Sequence, residues 1–124
     1  MEQRQVVIIE DDEVLRELYT KIISDAGVTV HAAATGGEGV TLTLKHHPDV
    51  VLVDVMLPDI SGHDAVKQIR LDTWGRDATI IYLTNRTDAA SVFTAVEQGS
   101  DEYIIKAHTT PKELLNKVRS AMLA

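Results

Sequence analysis

At residues 50–54 the sequence reads VVLVD, four apolar residues followed by a carboxylate. Three of the four are β-branched, and such an uninterrupted apolar run is typical of a parallel strand that is buried on both faces. A strand of this kind needs helices on both sides of its sheet, because each face must be covered. Asp54 is therefore expected at the carboxyl end of a buried strand.

On both sides of this run, the chain alternates short apolar runs with segments of helical spacing. The predicted strands are 6–9, 28–30, 50–53, 79–83 and 103–105. Two predicted helices cover about 37–46 and 62–71. The other three are indicated by apolar faces: Leu15, Leu18, Tyr19 and Ile22; Ala89, Val92, Phe93 and Val96; and Leu115, Val118 and Met122. Five β-α repeats predict a single α/β domain with a doubly wound five-stranded parallel sheet and five helices.

Capping signals support the predicted helix boundaries. Thr35 and Thr110 each stand three residues before a glutamate, which is the spacing of a capping box. Ser61 is a suitable cap for the third helix. Gly27 and Gly99 follow helical segments, where a residue in the left-handed conformation is common.

The composition is typical of one soluble globular domain spanning residues 1–124. The absence of cysteine excludes disulfides and thiolate zinc sites, and it fits a reducing, cytoplasmic location. Neither a signal peptide nor a membrane-spanning apolar run is expected. The net charge of -7 argues against nucleic acid or an anionic membrane as a direct partner.

Polar side chains follow the predicted strands at the points where the strands end. They are Glu10, Asp11 and Asp12 after the first strand, Asp54 after the third, Thr84 after the fourth and Lys106 after the fifth. Sites in open parallel sheets form outside the carboxyl ends of the strands, so these side chains are expected to meet. Each alone has an ordinary explanation, such as a helix cap for Asp12 or strand propensity for Thr84.

Taken together, the carboxylates predict a cation site. Carboxylates crowded at the end of a buried strand repel one another and need a cation if they are to be ionised together. A hard divalent ion such as Mg²⁺ suits an all-oxygen site of this kind. The five histidines show no metal-ligand spacing. We interpret His46 and His47 as a polar helix end, and His31, His63 and His108 as surface or loop residues.

The sequence resembles the receiver domains of two-component response regulators over residues 6–123. The resemblance is carried by VIIEDD at 7–12, VDVMLPDISG at 53–62, LT at 83–84 and GSDEYIIK at 99–106. It implies a flavodoxin-like fold with strand order 2-1-3-4-5, as in chemotaxis regulators. It also implies a signalling switch rather than an enzyme, one that catalyses only its own Mg²⁺-dependent phosphorylation and dephosphorylation.

The resemblance implies roles for the residues at the strand ends. Asp54 would accept the phosphoryl group. Asp11 and Asp54, with the backbone carbonyl of Met56, would hold Mg²⁺, and Glu10 would assist through water.

Three further residues receive roles from the same resemblance. Lys106 would contact the phosphoryl oxygens, and Thr84 would bond to them and move on activation. Tyr103 would be the aromatic partner of that switch. The implied phosphoryl donor is a sensor histidine kinase or a histidine phosphotransfer protein. A homodimer or an output partner would use the fourth helix, fifth strand and fifth helix, where Phe93 is either a contact residue or part of the core.

Two positions depart from the family pattern. Ala107 follows the lysine where the family usually has proline, and Asn85 follows the threonine where a small residue is usual. For a non-proline residue the cis form costs roughly 2.5–4 kcal/mol, so we expect a trans peptide between Lys106 and Ala107.

Three other functions fit the sequence less well than the phosphorylation switch. A degenerate receiver would bind partners without accepting phosphate, but the complete set of strand-end residues argues against it. A phosphatase with an aspartyl-phosphate intermediate typically has a second Asp two residues after the first, where this chain has Met56. A flavodoxin-like cofactor binder would need a phosphate-binding loop after Ile9, and the acidic residues there do not supply one.

Overall fold

The computed structural model describes residues 3–123 of the chain. The predicted domain limits, residues 1 and 124, lie outside the described residues. The strands are β1 (Gln5–Ile9), β2 (Thr29–Ala33), β3 (Val50–Val53), β4 (Ile80–Thr84) and β5 (Glu102–Ile105). The helices are α1 (Glu13–Asp25), α2 (Gly36–His46), α3 (Gly62–Leu71), α4 (Ala89–Glu97) and α5 (Pro111–Leu123). Across residues 3–123, no helix has the length and apolar character that crossing a bilayer demands.

The five strands form one parallel sheet in the order β2-β1-β3-β4-β5, which confirms the predicted fold. In β1 and β3, Ile9 pairs with Val53. The residues that follow them, Glu10 and Asp54, therefore leave adjacent strands at the same level. This register places the first and third strand ends side by side at one edge of the sheet.

Two apolar clusters cover the two faces of the sheet. Successive side chains of a strand point to opposite faces. Accordingly, Ile8 packs in a cluster with residues of α1 and α5, while its neighbour Ile9 packs in a cluster with residues of α2, α3 and α4. β3 is buried along its whole length. The strand that ends at Asp54 is therefore fixed by packing on both sides.

The helix caps agree with the sequence signals. The side chains of Thr35 and Ser61 each accept a backbone N–H in the first turn of α2 and α3. At the start of α5, Thr110 and Glu113 exchange both bonds of a capping box. Gly27 and Gly99 have φ of +87° and +73°, as expected after helix ends.

Helix α4 does not bury the apolar face that its spacing indicates. Ala89, Val92, Phe93 and Val96 share that face, and of the two roles left open for Phe93 the structure excludes a place in the core. Phe93 and Val96 are 63% and 67% exposed, whereas Ser91 and Ala95 are buried. Apolar residues occur on several sides of this helix, so their spacing alone could not identify the buried side. The Ser91 hydroxyl can be buried because it is hydrogen-bonded.

Two histidines that were predicted at the surface or in loops are half-buried within secondary structure. His31 lies in β2, and its ring stacks on that of His46 with 3.7 Å between ring centroids. His63 lies in α3, and both of its ring nitrogens contact side-chain hydroxyls. Both side chains are half-buried rather than fully exposed, which a histidine ring tolerates because its nitrogens find side-chain partners.

Candidate functional site

Three carboxylates converge where β1 and β3 end. Glu10, Asp11 and Asp54 each offer an oxygen, and these oxygens lie within 4.8 Å of one another. Glu10 and Asp54 are 3% and 7% exposed, whereas Asp11 is exposed. Asp12 is not part of the group, because its side chain caps α1 by accepting the Leu15 N–H. The strand ends therefore bring together the carboxylates for which the sequence predicted a cation site, and Asp12 keeps its ordinary role.

Lys106 completes the cluster from the end of β5. Its Nζ lies 2.6 Å from Asp54 Oδ2 and forms a second ion pair with Glu10 Oε1. Burial lowers the pKa of Lys106, but hydrogen bonds and charges from Asp54 and Glu10 outweigh burial, so the pKa ends above its usual value. The ammonium is thus held charged against both buried carboxylates.

The Glu10 carboxylate is buried within the cluster. Burial raises the pKa of Glu10, although the hydrogen bond and charge of Lys106 act in the opposite direction. Three carboxylates against one ammonium leave an excess of negative charge, and all three supply hard oxygen atoms. This group could therefore hold a divalent cation, and its donor set suits Mg²⁺ better than a softer metal.

Hydrogen bonds between side chains and backbone hold the loops after β1 and β3, which carry these carboxylates. Arg16 Nη1 donates to the carbonyls of Glu10 and Asp11 at 3.0 and 3.2 Å. In the loop after β3, the Met56 N–H donates to Asp54 Oδ1 at 3.1 Å. The role of Arg16 was not predicted, since its position on α1 looks like that of any solvated helix residue.

Asp59 anchors the second of these loops to the start of α2. Its two carboxylate oxygens accept the N–H groups of Gly36 and Gly37 at 2.8 and 2.9 Å. These bonds, that of Gly37 first, lower the pKa of Asp59 to about 2. The loop that carries Met56 is thereby tied to a helix N-terminus, a contact that linear sequence could not reveal.

The side chains of Thr84 and Tyr103 both contact the backbone of Arg86. Thr84 ends β4, is fully buried, and its Oγ1 accepts the Arg86 N–H at 3.2 Å. The Tyr103 hydroxyl, from β5, donates to the Arg86 carbonyl at 2.7 Å. The two residues predicted to form a switch are therefore joined through a single peptide segment after β4.

Comparisons with known proteins agree with this arrangement. The family model for the response regulator receiver domain matches residues 6–119 of this chain. The chain belongs to the receiver-domain family of response regulators. This receiver domain is 33% identical over 120 residues to the DNA-binding response regulator MtrA of Mycolicibacterium smegmatis, covering 97% of this chain and 51% of that protein.

Two further proteins are similar to this receiver domain over almost its whole length. The probable transcriptional regulator ycf27 of Porphyridium aerugineum is 31% identical, over 98% of this chain and 49% of that protein. A CheY-like receiver domain protein from Methanospirillum hungatei superposes with a TM-score of 0.89 at 25% identity, covering 98% of this chain and 94% of that one. The receiver domain spans about half the length of the two curated relatives.

The two departures from the family pattern contact each other. The Ala107 N–H donates to Asn85 Oδ1 at 2.9 Å, which links the segment after β4 to the segment after β5. Within residues 3–123 there are no cis peptide bonds, so the expected trans peptide between Lys106 and Ala107 is confirmed. A proline at 107 could not make this contact, because it has no N–H.

We expect that Ala107→Pro and Asn85→Ala each break this cross-loop bond and cost about 1 kcal/mol of stability or less. Because they remove the same interaction, the double variant should lose less than the sum of the two single variants. Urea unfolding of the four proteins measures this coupling. Strictly additive losses would contradict a bond between the two segments.

Asp59 should give the receiver domain a distinct acid sensitivity. Its folded pKa lies below the usual 3.8, so its contribution to stability is present above that value and is lost as the pH falls towards about 2. Urea midpoints measured between about pH 5 and pH 2 should therefore fall more steeply for the wild type than for Asp59→Asn. An equally steep fall in Asp59→Asn would show that other carboxylates account for the acid sensitivity.

Proposed function

We propose that this receiver domain accepts a phosphoryl group on Asp54 and passes the resulting change to a partner. The observation that carries the proposal is the position of the Asp54 carboxylate. It stands at the end of a fully buried strand, with Lys106 at 2.6 Å on one oxygen and the Met56 N–H at 3.1 Å on the other. A nucleophile held in this way needs little reorganisation to meet a phosphoryl donor.

The transfer is a displacement at phosphorus. One oxygen of Asp54 forms the new P–O bond, and the bond from phosphorus to the donor's histidine nitrogen breaks, leaving its electron pair on that nitrogen. The phosphoryl oxygens carry spread negative charge, which the Lys106 ammonium is placed to stabilise. Thr84 would then hydrogen-bond one of those oxygens.

Mg²⁺ would be held by Asp11, Asp54 and the carbonyl of Met56, with Glu10 acting through water. When bound, the ion would neutralise charge on the cluster and on the incoming phosphoryl group. The excess of carboxylate over ammonium in the cluster supports this assignment. Lys106 would then exchange part of its contact with Glu10 for contact with the phosphoryl oxygens.

The new charge would act on Thr84 and Tyr103. Phosphorylation adds about 1.5 to 2 negative charges beside Lys106 and the β4 end. A Thr84 hydroxyl that turns towards the phosphoryl group gives up its bond to the Arg86 N–H, and the segment that also holds Tyr103 is released. Thr84 and Tyr103 would therefore form the switch.

The switch would be read on the surface formed by α4, β5 and α5. Phe93 and Val96 expose apolar side chains on α4, and exposed apolar residues of this size favour contact with a protein partner. We infer a cytoplasmic protein that receives its phosphoryl group from a sensor histidine kinase or a histidine phosphotransfer protein. A homodimer or an output partner would then bind at this surface.

Labelling with acetyl phosphate and Mg²⁺ tests the proposal. Asp54→Asn should reduce incorporation of the label at least 100-fold, because an amide is a far poorer nucleophile than a carboxylate (a barrier increase of roughly 3 kcal/mol). Asp12→Asn is the matched control, since Asp12 only caps α1, and it should label like the wild type. If the wild type takes no label, the domain is a degenerate receiver that binds partners without phosphate.

A further inference from the structure

A network of buried and half-buried polar side chains lies between α3, α4, β4 and β5, away from the carboxylate cluster. Its members are His63, Tyr82, Ser91, Gln98 and Tyr103. Tyr82 and Ser91 are 0% and 2% exposed. Polar groups this deeply buried must pair their donors with acceptors, so the positions of the protons can be deduced.

Both ends of the network are carbonyl oxygens, which accept hydrogen bonds and cannot donate them. At one end, the Tyr103 hydroxyl donates to the Arg86 carbonyl at 2.7 Å. At the other, the Tyr82 hydroxyl donates to Gln98 Oε1 at 2.5 Å. The orientation of the Gln98 amide is fixed, because its Nε2 donates to the His63 carbonyl at 2.9 Å.

If every contact is kept, these two ends determine each proton between them. Tyr103 has used its only proton, so the Ser91 hydroxyl donates to Tyr103 across their 2.8 Å contact. Ser91 Oγ then accepts from His63 Nε2 at 2.8 Å. Tyr82 has also used its proton, so its oxygen accepts from His63 Nδ1 at 3.2 Å. All contacts are satisfied only when both ring nitrogens of His63 carry protons.

A neutral His63 ring must give up one of these bonds. If Nδ1 keeps the proton, Nε2 accepts from Ser91, and Ser91 in turn accepts from Tyr103. The Tyr103 hydroxyl then turns away from the Arg86 carbonyl. If Nε2 keeps the proton, the Tyr103 end is unchanged and the longer contact to Tyr82 is lost.

We propose that His63 is a positioning residue for Tyr103. When the ring is protonated, it keeps the Tyr103 hydroxyl hydrogen-bonded to the Arg86 carbonyl through Ser91. When the ring loses one proton, the Tyr103 hydroxyl can turn from that carbonyl to Ser91. The consequence for signalling rests on the proposed role of Tyr103 in the switch. The arrangement of protons itself depends only on the contacts of the unphosphorylated domain.

Burial of the His63 ring places its titration on the acid side of the ordinary histidine range. Burial lowers the pKa of His63, and Arg86 acts in the same direction, while Asp64, Asp88 and the contact with Gln98 oppose it. Burial keeps the pKa of Tyr82 above its usual value, so this hydroxyl stays protonated throughout. The Tyr103 contact should therefore change at a pH below the ordinary 6.5 of histidine.

NMR titration of the unphosphorylated domain tests the proposal. The ring signals of Tyr103 and the ring nitrogens of His63 are followed between about pH 4.5 and pH 8. We expect both to titrate with one shared midpoint. In Ser91→Ala, the His63 ring should still titrate, but the Tyr103 signals should no longer change at the His63 midpoint. His108→Gln, an exposed histidine, should leave both unchanged.

Tyr103 signals that do not follow the His63 midpoint, or that still follow it in Ser91→Ala, would overturn the proposal. His63→Gln provides a second variant, in which the Tyr103 titration should be absent. Beryllofluoride with Mg²⁺ should shift the His63 midpoint, because the coupling between the two sites is reciprocal. An unchanged midpoint would overturn the link to the switch, whereas failure of Asp54 to accept label would overturn only the proposed function.

Discussion

Replacing Lys106 with methionine is expected to lower the free energy of unfolding by about 3–5 kcal/mol in buffer without divalent cations. Lys106 Nζ is the only cationic atom within 4.0 Å of the Glu10 and Asp54 carboxylates among residues 3–123, and its side chain is 10% exposed. Methionine keeps the length of the side chain but removes the charge. The two carboxylates would then be buried without an opposite charge.

The comparison of Lys106→Met with Lys117→Met separates this effect from a general loss of charge. Lys117 pairs with Glu102 at 2.9 Å, but both side chains are more than 40% exposed, so its removal should cost less than about 1 kcal/mol. Urea unfolding with and without Mg²⁺ measures both variants. Millimolar Mg²⁺ should restore much of the stability of Lys106→Met and little of that of Lys117→Met. Equal losses in the two variants would contradict a buried charge cluster.

The substitution Gly62→Ala is expected to destabilise the domain by about 3 kcal/mol or more and to displace the backbone of Asp54. A β-carbon at Gly62 would overlap the backbone carbonyl of Asp54 and crowd the Cα of Val55. The Gly62 N–H also donates to the Val55 carbonyl at 2.7 Å, so this backbone cannot move away without losing a bond. Backbone atoms cannot relieve such an overlap by changing rotamer, as a side chain would.

Gly37→Ala is the matched control for Gly62→Ala. At Gly37 a β-carbon would meet only the end of the Asp59 side chain, at 3.3 Å. Alanine also favours the helical conformation over glycine. We therefore expect Gly37→Ala to change the unfolding free energy by less than about 1 kcal/mol, and to label normally with acetyl phosphate. A Gly62→Ala protein as stable as Gly37→Ala would show that the loop after β3 is not packed against α3 as described.

The sequence predicted the fold because its strongest patterns are local. An unbroken apolar run such as 50–53 has few alternatives to a buried parallel strand, and capping residues mark helix starts within a few residues. The order of the strands is a long-range property, and it came from the resemblance to receiver domains. The convergence of Glu10, Asp54 and Lys106 then followed from the rule that sites form at the carboxyl ends of parallel strands.

Features that depend on which side chains meet could not be predicted in this way. The buried side of α4 is determined by Ser91, whose burial depends on His63 and Tyr103 in other elements. For the same reason His63, at the start of α3, looked like a surface residue. The contact between Asn85 and Ala107 joins two loops that are 22 residues apart in the chain. Spacing within one element carries no information about such pairs.

The central claim is that Asp54 accepts the phosphoryl group, and identification of the modified residue tests it most directly. The protein is treated with acetyl phosphate and Mg²⁺, the acyl phosphate is reduced with borohydride, and the peptides are read by mass spectrometry. Reduction converts a phosphorylated aspartate into homoserine, which marks the position permanently. We predict homoserine at residue 54 and aspartate at residues 11, 12 and 59. Homoserine at any of those three positions, with aspartate at 54, would contradict the assignment.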